Sequence, residues 1–423
     1  MEEFIKINFI FNNNNLILIS VGFIVILFSS LSALNKIKIK QYYYHLLLIF
    51  LLFSFVIVSS TNSWFLFIIA WEIATLATTL LLLWDKKNLA WEYFIIQFIG
   101  GSLLIFTVLL AYTGGYDKIA KIDSYFLQLM FTVAVGIKSG IIGFHIWIPH
   151  IYKKASPAFC ALSSALVAKF GYILLLKIIT GGNRVLLYLG ITMIFYGGIK
   201  ALEEKNYKLI LAYSSISQFG FIMLAIGSGN EYGYYGALLH ITAHALAKSS
   251  LFNGAEIWIK EFNSNSIFDF KKCFIKHKII TISTLLSFLS LMAVPMFLGY
   301  NSKHLIKYSL SYIPMFEFLL HLGSILTISY SVKILWVLVF KDLINHDFSL
   351  KSQNKNTYQT NFSDKIALLI PGLLLAVSAL SINCFLDKSF NFHYQNGIFI
   401  TTVYFITAYI IRFPIMARIK SED

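Results

Sequence analysis

Trp64-Phe-Leu-Phe-Ile-Ile-Ala-Trp71-Glu72-Ile-Ala-Thr-Leu-Ala-Thr-Thr-Leu-Leu-Leu-Leu-Trp84 carries one charge in 21 residues and has tryptophan at both ends. At a rise of about 1.5 Å per residue such a helix spans about 30 Å, the thickness of a hydrocarbon core. The stretch therefore reads as a bilayer-crossing helix with a carboxylate stranded near its middle. The rest of the 423-residue chain is of the same kind: 58% of it is hydrophobic, 13% is charged and 39 residues are Phe. A soluble domain carries about 25% charged residues, so a soluble globular enzyme is excluded. Thirteen spans are expected, at 15–34, 44–61, 64–84, 92–113, 126–150, 157–180, 185–201, 208–228, 233–258, 278–312, 315–340, 365–385 and 397–416. The fold class is an all-α polytopic membrane protein.

The formal charge of +14 could serve nucleic acid, but its placement argues against that. When alternate connections are assigned to opposite sides, 22 basic residues fall on one side and five on the other (Lys6, Lys118, Lys121, Arg184 and Lys388). The rich side holds Lys36, Lys38, Lys40, Lys86, Lys87, Lys153, Lys154, Lys200, Lys205, Lys208 and the clusters in 260–278, 341–365 and 412–420. This is the positive-inside bias. It makes the lysine-rich side the inner one, puts the N-terminus outside and the C-terminus in the cytoplasm, and leaves no nucleic-acid partner. Trp64, Trp84, Trp91, Trp147, Trp258 and Trp336 lie near span ends, where interfacial tryptophans gather. Met1-Glu2-Glu3 has no basic n-region, so the first span is expected to be retained. Cys160, Cys273 and Cys384 are more than a hundred residues apart, which gives no iron–sulfur, haem or zinc spacing and no disulfide framework.

Seven basic residues remain within spans: Lys138, Lys169, Lys177, Lys248, Lys303, Lys307 and Lys333. Lys177 can snorkel from the outer end of its helix, and Lys333 is two turns from an inner end. Lys138, Lys169, Lys248 and Lys303 are deeper, and a mid-helix lysine costs about 2.5–3.5 kcal/mol. Buried ion pairs that fix helix register are one reading, but acids are scarce: Glu72 is mid-span, while Glu256 and Glu317 lie nearer span ends. A hydrated polar path is the other reading. Burial favours the neutral amine, whereas a carboxylate at about 4 Å and an effective dielectric of about 20 favours the ammonium by about 4 kcal/mol. Movement of Glu72 relative to a lysine would thus load or unload a proton.

The ninth span contains Leu239-His240-Ile-Thr-Ala-His244-Ala-Leu-Ala-Lys248. Positions i, i+4 and i+8 share a helix face and extend about 12 Å, a length suited to proton hopping through imidazoles and water. A structural hydrogen-bonded pair is an alternative. A zinc site is another, but it needs a third ligand, and Ile241 stands where a metalloprotease motif has Glu. Two spans look interrupted. Gly136-Ile-Lys138-Ser-Gly140-Ile-Ile-Gly143-Phe-His145-Ile-Trp147-Ile-Pro149 places three glycines around a lysine, and Gly136-x-x-x-Gly140 also fits close helix packing. The tenth span carries Pro295, Gly299 and Asn301 just before Ser302-Lys303, where unwinding is expected.

Taken together, residues 44 to 340 resemble the antiporter-like membrane subunits of respiratory complex I, membrane-bound hydrogenases and multisubunit Na⁺/H⁺ (Mrp-type) antiporters. The resemblance rests on six segments in order: Trp71-Glu72; Gly136-Ile-Lys138 through Pro149; Ala155-Ser-Pro157 through Ala168-Lys169-Phe-Gly171-Tyr172; Leu211-Ala-Tyr-Ser-Ser-Ile-Ser-Gln-Phe-Gly220; His240 to Lys248; and Gly299-Tyr-Asn-Ser-Lys303. It implies two inverted five-helix repeats, 44–180 and 185–340, each with a discontinuous helix. Residues 1–43 would add a leading helix and basic loop, 341–364 a polar inner loop and 365–423 two trailing helices. It further implies that Glu72 pairs with Lys138, that Lys169 is the central relay, that His240, His244 and Lys248 continue across, and that Lys303 is the exit. Quinone, flavin and nucleotide sites belong to other subunits of such complexes, so no cofactor or metal is expected here. Ser139-Gly140 and Gly143 stand where the family commonly has proline, and Gln218 where histidine is frequent.

The expected function is a non-catalytic, H⁺- or Na⁺-translocating subunit working beside other membrane subunits in a bacterial inner membrane. A stand-alone secondary transporter would instead exchange ions when reconstituted alone. An inactive scaffold would tolerate Lys138→Ala and Lys303→Ala.

Overall fold

The computed structural model describes residues 9–33, 41–271, 273–340 and 360–381. Their helices of more than one turn are α1 (Asn13–Ala33), α2 (Gln41–Ser60), α3 (Trp64–Asp85), α4 (Lys87–Thr113), α5 (Tyr125–Ser139), α6 (Trp147–Lys154), α7 (Pro157–Leu162), α8 (Lys169–Ile178), α9 (Arg184–Glu203), α10 (Tyr207–Ser228), α11 (Glu231–Phe262), α12 (Lys278–Leu291), α13 (Leu298–Ser309), α14 (Pro314–Leu335) and α15 (Phe362–Ser381). A π-helical turn, Ser163–Val167, joins α7 to α8. Among the described residues nine helical stretches are long and apolar enough to cross a bilayer, and α5 and α12 are shorter apolar helices. No strand occurs among them, only isolated bridges such as Ile122 with Ile179. The chain is all-α and polytopic, as its composition requires. The segment 397–416 and most of the 341–364 loop lie outside the described residues, and α15 starts at Phe362, slightly before the expected position.

Local sequence sets the helix starts. The side chains of Ser63, Ser124, Ser156, Asn183, Asn206 and Asn230 each accept the amide N–H three residues on. Each cap satisfies a donor that a helix N-terminus leaves open. Large apolar side chains such as Phe53, Phe98 and Phe106 point outward, as on a lipid-facing surface. From Phe159 to Leu176, by contrast, every residue is buried, and so is every residue of α10 except Tyr213. These two and α11, which packs on both, form the middle of the molecule.

Both interrupted spans are broken, by different means. In the first, α5 ends at Gly140 in the left-handed region (φ 73°), and Gly143 follows at φ 95°. A Cβ on Gly140 would also lie 2.1 Å from Ile148 Cδ1. Left-handed glycines, with no proline between them, therefore end the helix here. Trp147 Nε1 donates to the Ile137 carbonyl at 3.0 Å and closes the gap. In the second, the break precedes Gly299 instead of flanking Lys303. It runs from Met292 to Phe297, with Ala293 (φ 59°) and Met296 (φ 71°) left-handed around Pro295. Gly299, Asn301 and Lys303 are all helical. Gly299 is required for proximity, since a Cβ there would lie 1.8 Å from the Ser290 carbonyl oxygen.

The tryptophan reading needs correction. Trp64, Trp147 and Trp258 are interior packing residues, and Trp64 stacks on Phe131 while donating to the Tyr116 carbonyl at 2.9 Å. Trp91, at 53% exposure, is placed as an interfacial residue should be.

Candidate functional site

The polar axis begins between α3, α4 and α5. Lys138 Nζ donates to Glu72 Oε1 at 2.7 Å and to Thr75 Oγ1 at 3.2 Å, and lies 5.1 Å from the centre of the Trp71 ring. The lysine side chain is fully buried, whereas Glu72 is 32% exposed. The pair fits because α4 presents Gly100 and Gly101 to it. A Cβ on Gly101 would lie 2.5 Å from Glu72 Oε1, and one on Gly100 would lie 2.6 Å from Lys138 Cγ. Gln97 Nε2 donates to the Lys138 carbonyl at 3.3 Å, which satisfies an oxygen orphaned where α5 ends.

Lys169 starts α8, directly after the π-helical turn. Its Nζ donates to the Ser164 carbonyl at 2.7 Å and is also 2.7 Å from His244 Nδ1. A nitrogen–nitrogen hydrogen bond requires one partner to offer a lone pair, so the two groups share a proton and do not both carry a charge. No hydrogen bond joins Lys138 to Lys169. Around them, Trp71 Nε1, Ser139 Oγ and Tyr172 OH are buried with no protein partner. Gly171 leaves room for them, since a Cβ there would lie 2.4 Å from Ser139 Oγ and 3.2 Å from the Trp71 ring. Buried polar atoms in such a position are served by internal water.

Beyond His244 the axis divides. His240 is held at both ring nitrogens, Nδ1 by Ser302 Oγ at 2.9 Å and Nε2 by Gln218 Oε1 at 3.1 Å. Gln218 in turn donates to Thr327 Oγ1 and Tyr330 OH. Lys303, next in sequence to Ser302, donates to the Leu291 carbonyl at 3.1 Å, where α12 stops. Lys248 turns away from this line: its Nζ donates to the Leu211 carbonyl at 2.8 Å and to Ser214 Oγ. The same carbonyl accepts Ser215 Oγ, which is 3.0 Å from Ser164 Oγ, so serines tie Lys248 back to the turn that holds Lys169.

All seven sequence-predicted residues are therefore in the protein interior or on its edge, with Glu72–Lys138 and Lys169–His244 in direct contact. The other spanning lysines are structural. Lys177 donates to the Val58 and Thr61 carbonyls at 2.9 Å, and Lys333 donates to the Leu202 carbonyl at 2.7 Å and to that of Glu204. Each closes the C-terminal end of a neighbouring helix, where partial negative charge collects. Lys307 lies 3.6 Å from Glu317.

Sequence reasoning missed Phe219 and Phe221. Phe219 lies 4.3 Å under Lys169 Nζ and 5.1 Å from the His244 ring. Phe221 lies 4.1 Å under Lys303 Nζ and 5.7 Å from the His240 ring. Each ring is thus wedged between an amine and an imidazole, where its face stabilises positive charge. Apolar residues in an apolar helix give no signal for this.

Residues 61–329 match the protein family described as NADH:quinone oxidoreductase/Mrp antiporter, TM. Among curated proteins, the putative antiporter subunit mnhA2 of Staphylococcus aureus strain MSSA476 is 27% identical over 373 residues, a match covering 76% of this chain and 45% of that one. The mnhA2 subunit of strain USA300 matches to the same extent. The chain thus spans about half the length of the curated relatives it matches. Among solved structures, the Mrp complex from Dietzia sp. DQ12-45-1b contains a chain of similar fold, with a TM-score of 0.76 at 18% identity, covering 96% of this chain and 86% of that one. Respiratory complex I from Thermus thermophilus with bound aureothin contains another, with a TM-score of 0.73 at 18% identity and 88% and 85% coverage.

Proposed function

Because this integral multi-pass membrane protein belongs to the NADH:quinone oxidoreductase/Mrp antiporter family, we propose that it is an ion-translocating subunit of a multisubunit membrane complex. It passes H⁺, or Na⁺ in exchange for it, along Glu72, Lys138, Lys169, His244, His240 and Lys303, with Lys248 as a side branch. The observation that carries this reading is the buried 2.7 Å contact between Lys169 Nζ and His244 Nδ1. Two nitrogen bases that share a hydrogen at bilayer depth cost stability, and proton relays are where such groups are retained. The Glu72–Lys138 pair at 2.7 Å supplies the electrostatic switch: separating the two releases the lysine's proton.

Partner subunits follow from the surface next to that pair. Glu72 is one-third exposed, and on the non-helical segment between α5 and α6 Phe144 is 41% exposed and Ile146 69%. Irregular backbone and a carboxylate are not left against lipid, so a neighbouring membrane subunit covers this face. The two broken helices support inverted repeats over 44–180 and 185–340. The lysine-rich side faces the cytoplasm of a bacterial cell, with the N-terminus outside.

The test is ion-coupled proton flux in everted vesicles carrying the complete complex. Lys169→Ala and His244→Ala should each lower flux by about ten-fold or more, as removal of one proton-transfer group does. Normal flux in both, with the subunit present at its usual level, overturns the proposal.

A further inference from the structure

Gln97 stands in an otherwise apolar run of α4, Tyr93-Phe-Ile-Ile-Gln97-Phe-Ile-Gly100-Gly101, and is wholly buried. A neutral amide at that depth costs free energy unless hydrogen bonds offset it. Its bonds lead to one residue. The break after α5 leaves two adjacent carbonyls without helical partners: Trp147 Nε1 serves that of Ile137, and Gln97 Nε2 serves that of Lys138 at 3.3 Å. A carbonyl only accepts, so the nitrogen end of the amide is the end that faces Lys138. In return, Lys138 Nζ donates to the Gln97 main-chain oxygen at 3.5 Å. Each residue thus holds the other's carbonyl with its side chain, a reciprocal clasp across the α4–α5 seam. Gly100 lets the seam close by admitting the lysine stem.

The clasp bears on the Glu72–Lys138 pair because its two members are held unequally. Lys138 Nζ has four neighbours: Glu72 Oε1 at 2.7 Å, Thr75 Oγ1 at 3.2 Å, the Gln97 oxygen at 3.5 Å and the centre of the Trp71 ring at 5.1 Å. Thr75 is itself fixed, because its hydroxyl donates to the Trp71 carbonyl at 3.0 Å and keeps its lone pairs for the lysine. Taking the carboxylate away therefore leaves the amine two neutral acceptors and an aromatic face. Glu72 has no such support. Among the described residues its one hydrogen bond is the one to Lys138, and its side chain is 32% exposed against 0% for the lysine. When that bond breaks, the half-open carboxylate regains rotamer freedom, whereas the enclosed lysine does not.

We propose that Gln97 and Thr75 are positioning residues that keep Lys138 in place, so that Glu72 is the member of the pair that moves while an ion passes. Gln97 fixes the main chain of residue 138, and Thr75 retains its amine. The proton that Lys138 gives up then leaves from one position, whether Glu72 is closed on the lysine or swung away from it. The effect on ion passage rests on the ion-translocating reading above, whereas the immobility of Lys138 does not.

The direct measurement is a cryo-EM structure of the complete complex carrying Glu72→Ala. Lys138 Nζ should remain within hydrogen-bond distance of Thr75 Oγ1 and the Gln97 oxygen; a lysine that has left both overturns the proposal. Flux in everted vesicles tests the consequence. Gln97→Met keeps the length of the side chain and removes its hydrogen bond, and Thr75→Val does the same for the hydroxyl. Each should lower flux per inserted molecule by about two- to ten-fold, the contribution of one hydrogen bond, and displace its pH profile. Thr75→Ser should restore both. An unchanged pH profile in Gln97→Met and Thr75→Val overturns the proposal. Gln128→Met is the structural control: this buried amide donates to the Ile122 carbonyl at 2.7 Å, away from the pair. Its pH profile should stay in place, and an equal displacement there also overturns the proposal. If Gln97→Met fails to insert, the Glu72→Ala structure and the Thr75 variants still decide. Lys169→Ala separates the two readings. Normal flux there sinks conduction along the axis and leaves the lysine's position to the structure, whereas loss of flux there with wild-type behaviour of Gln97→Met and Thr75→Val sinks the positioning role alone.

Discussion

Gly101→Ala tests whether close contact between Glu72 and Lys138 matters for ion movement. The added Cβ would sit 2.5 Å from Glu72 Oε1, whereas a carbon–oxygen contact settles at about 3.3 Å. The carboxylate must therefore retreat by about 0.8 Å, taking the ion pair from 2.7 Å to about 3.5 Å. At an effective dielectric of about 20 the attraction weakens by about 1.4 kcal/mol. Water on the exposed side of Glu72 lowers that to about 1 kcal/mol, or about a five-fold loss in the closed-pair population. Proton flux in everted vesicles holding the whole complex should fall by about that factor, with subunit abundance on immunoblots unchanged. Gly254→Ala is the control, since nothing approaches its added Cβ closer than 3.7 Å. Wild-type flux in Gly101→Ala, or an equal loss in Gly254→Ala, would refute the spacing argument.

Four further outcomes are expected. Gly140→Ala should destabilise the detergent-solubilised protein by about 1–3 kcal/mol through backbone strain and overpacking; adding Ile148→Ala should restore part of the loss, and strict additivity in thermal unfolding would contradict the 2.1 Å clash. Lys333→Met strips the Leu202 and Glu204 carbonyls of their donor, so stability should fall by about 1–3 kcal/mol while flux per inserted molecule stays the same. Gln218→Leu leaves His240, Thr327 and Tyr330 without their shared partner and should lower both stability and flux, the former again by about 1–3 kcal/mol. Phe221→Leu removes the ring beneath Lys303 and should alter the pH profile of flux without changing abundance, an effect that loss of packing alone does not produce.

The parts of this site legible in the sequence are those where chemistry departs from its surroundings. A carboxylate at position 72 and ammonium groups at 138, 169, 248 and 303 cost too much in hydrocarbon to be incidental, and the structure puts Glu72 and Lys138 in contact. The His240–His244–Lys248 spacing gave one helix face, but a face is not a path: Lys248 leaves the line for Ser214 because α10, the helix just before it, packs there and offers a hydroxyl. The first helix break was legible because glycine tolerates φ 73° and φ 95°. The second was misplaced because its left-handed residues are Ala293 and Met296, which carry no such signal. Lys177 and Lys333 looked like candidates for snorkelling or a role in the path. Only the tertiary fold shows that the helix ends they close come from elsewhere in the chain.

Ser302 has a single hydroxyl hydrogen and two neighbours that can take it: the Gly299 carbonyl at 2.8 Å and His240 Nδ1 at 2.9 Å. With Gln218 Oε1 facing the other ring nitrogen, a doubly protonated His240 donates at both ends and leaves the serine hydrogen on Gly299. A singly protonated ring turns that hydrogen toward itself, and the Gly299 oxygen loses its serine donor. Rotation about one C–O bond thus couples the charge of an imidazole on α11 to the first turn of α13, four residues before Lys303.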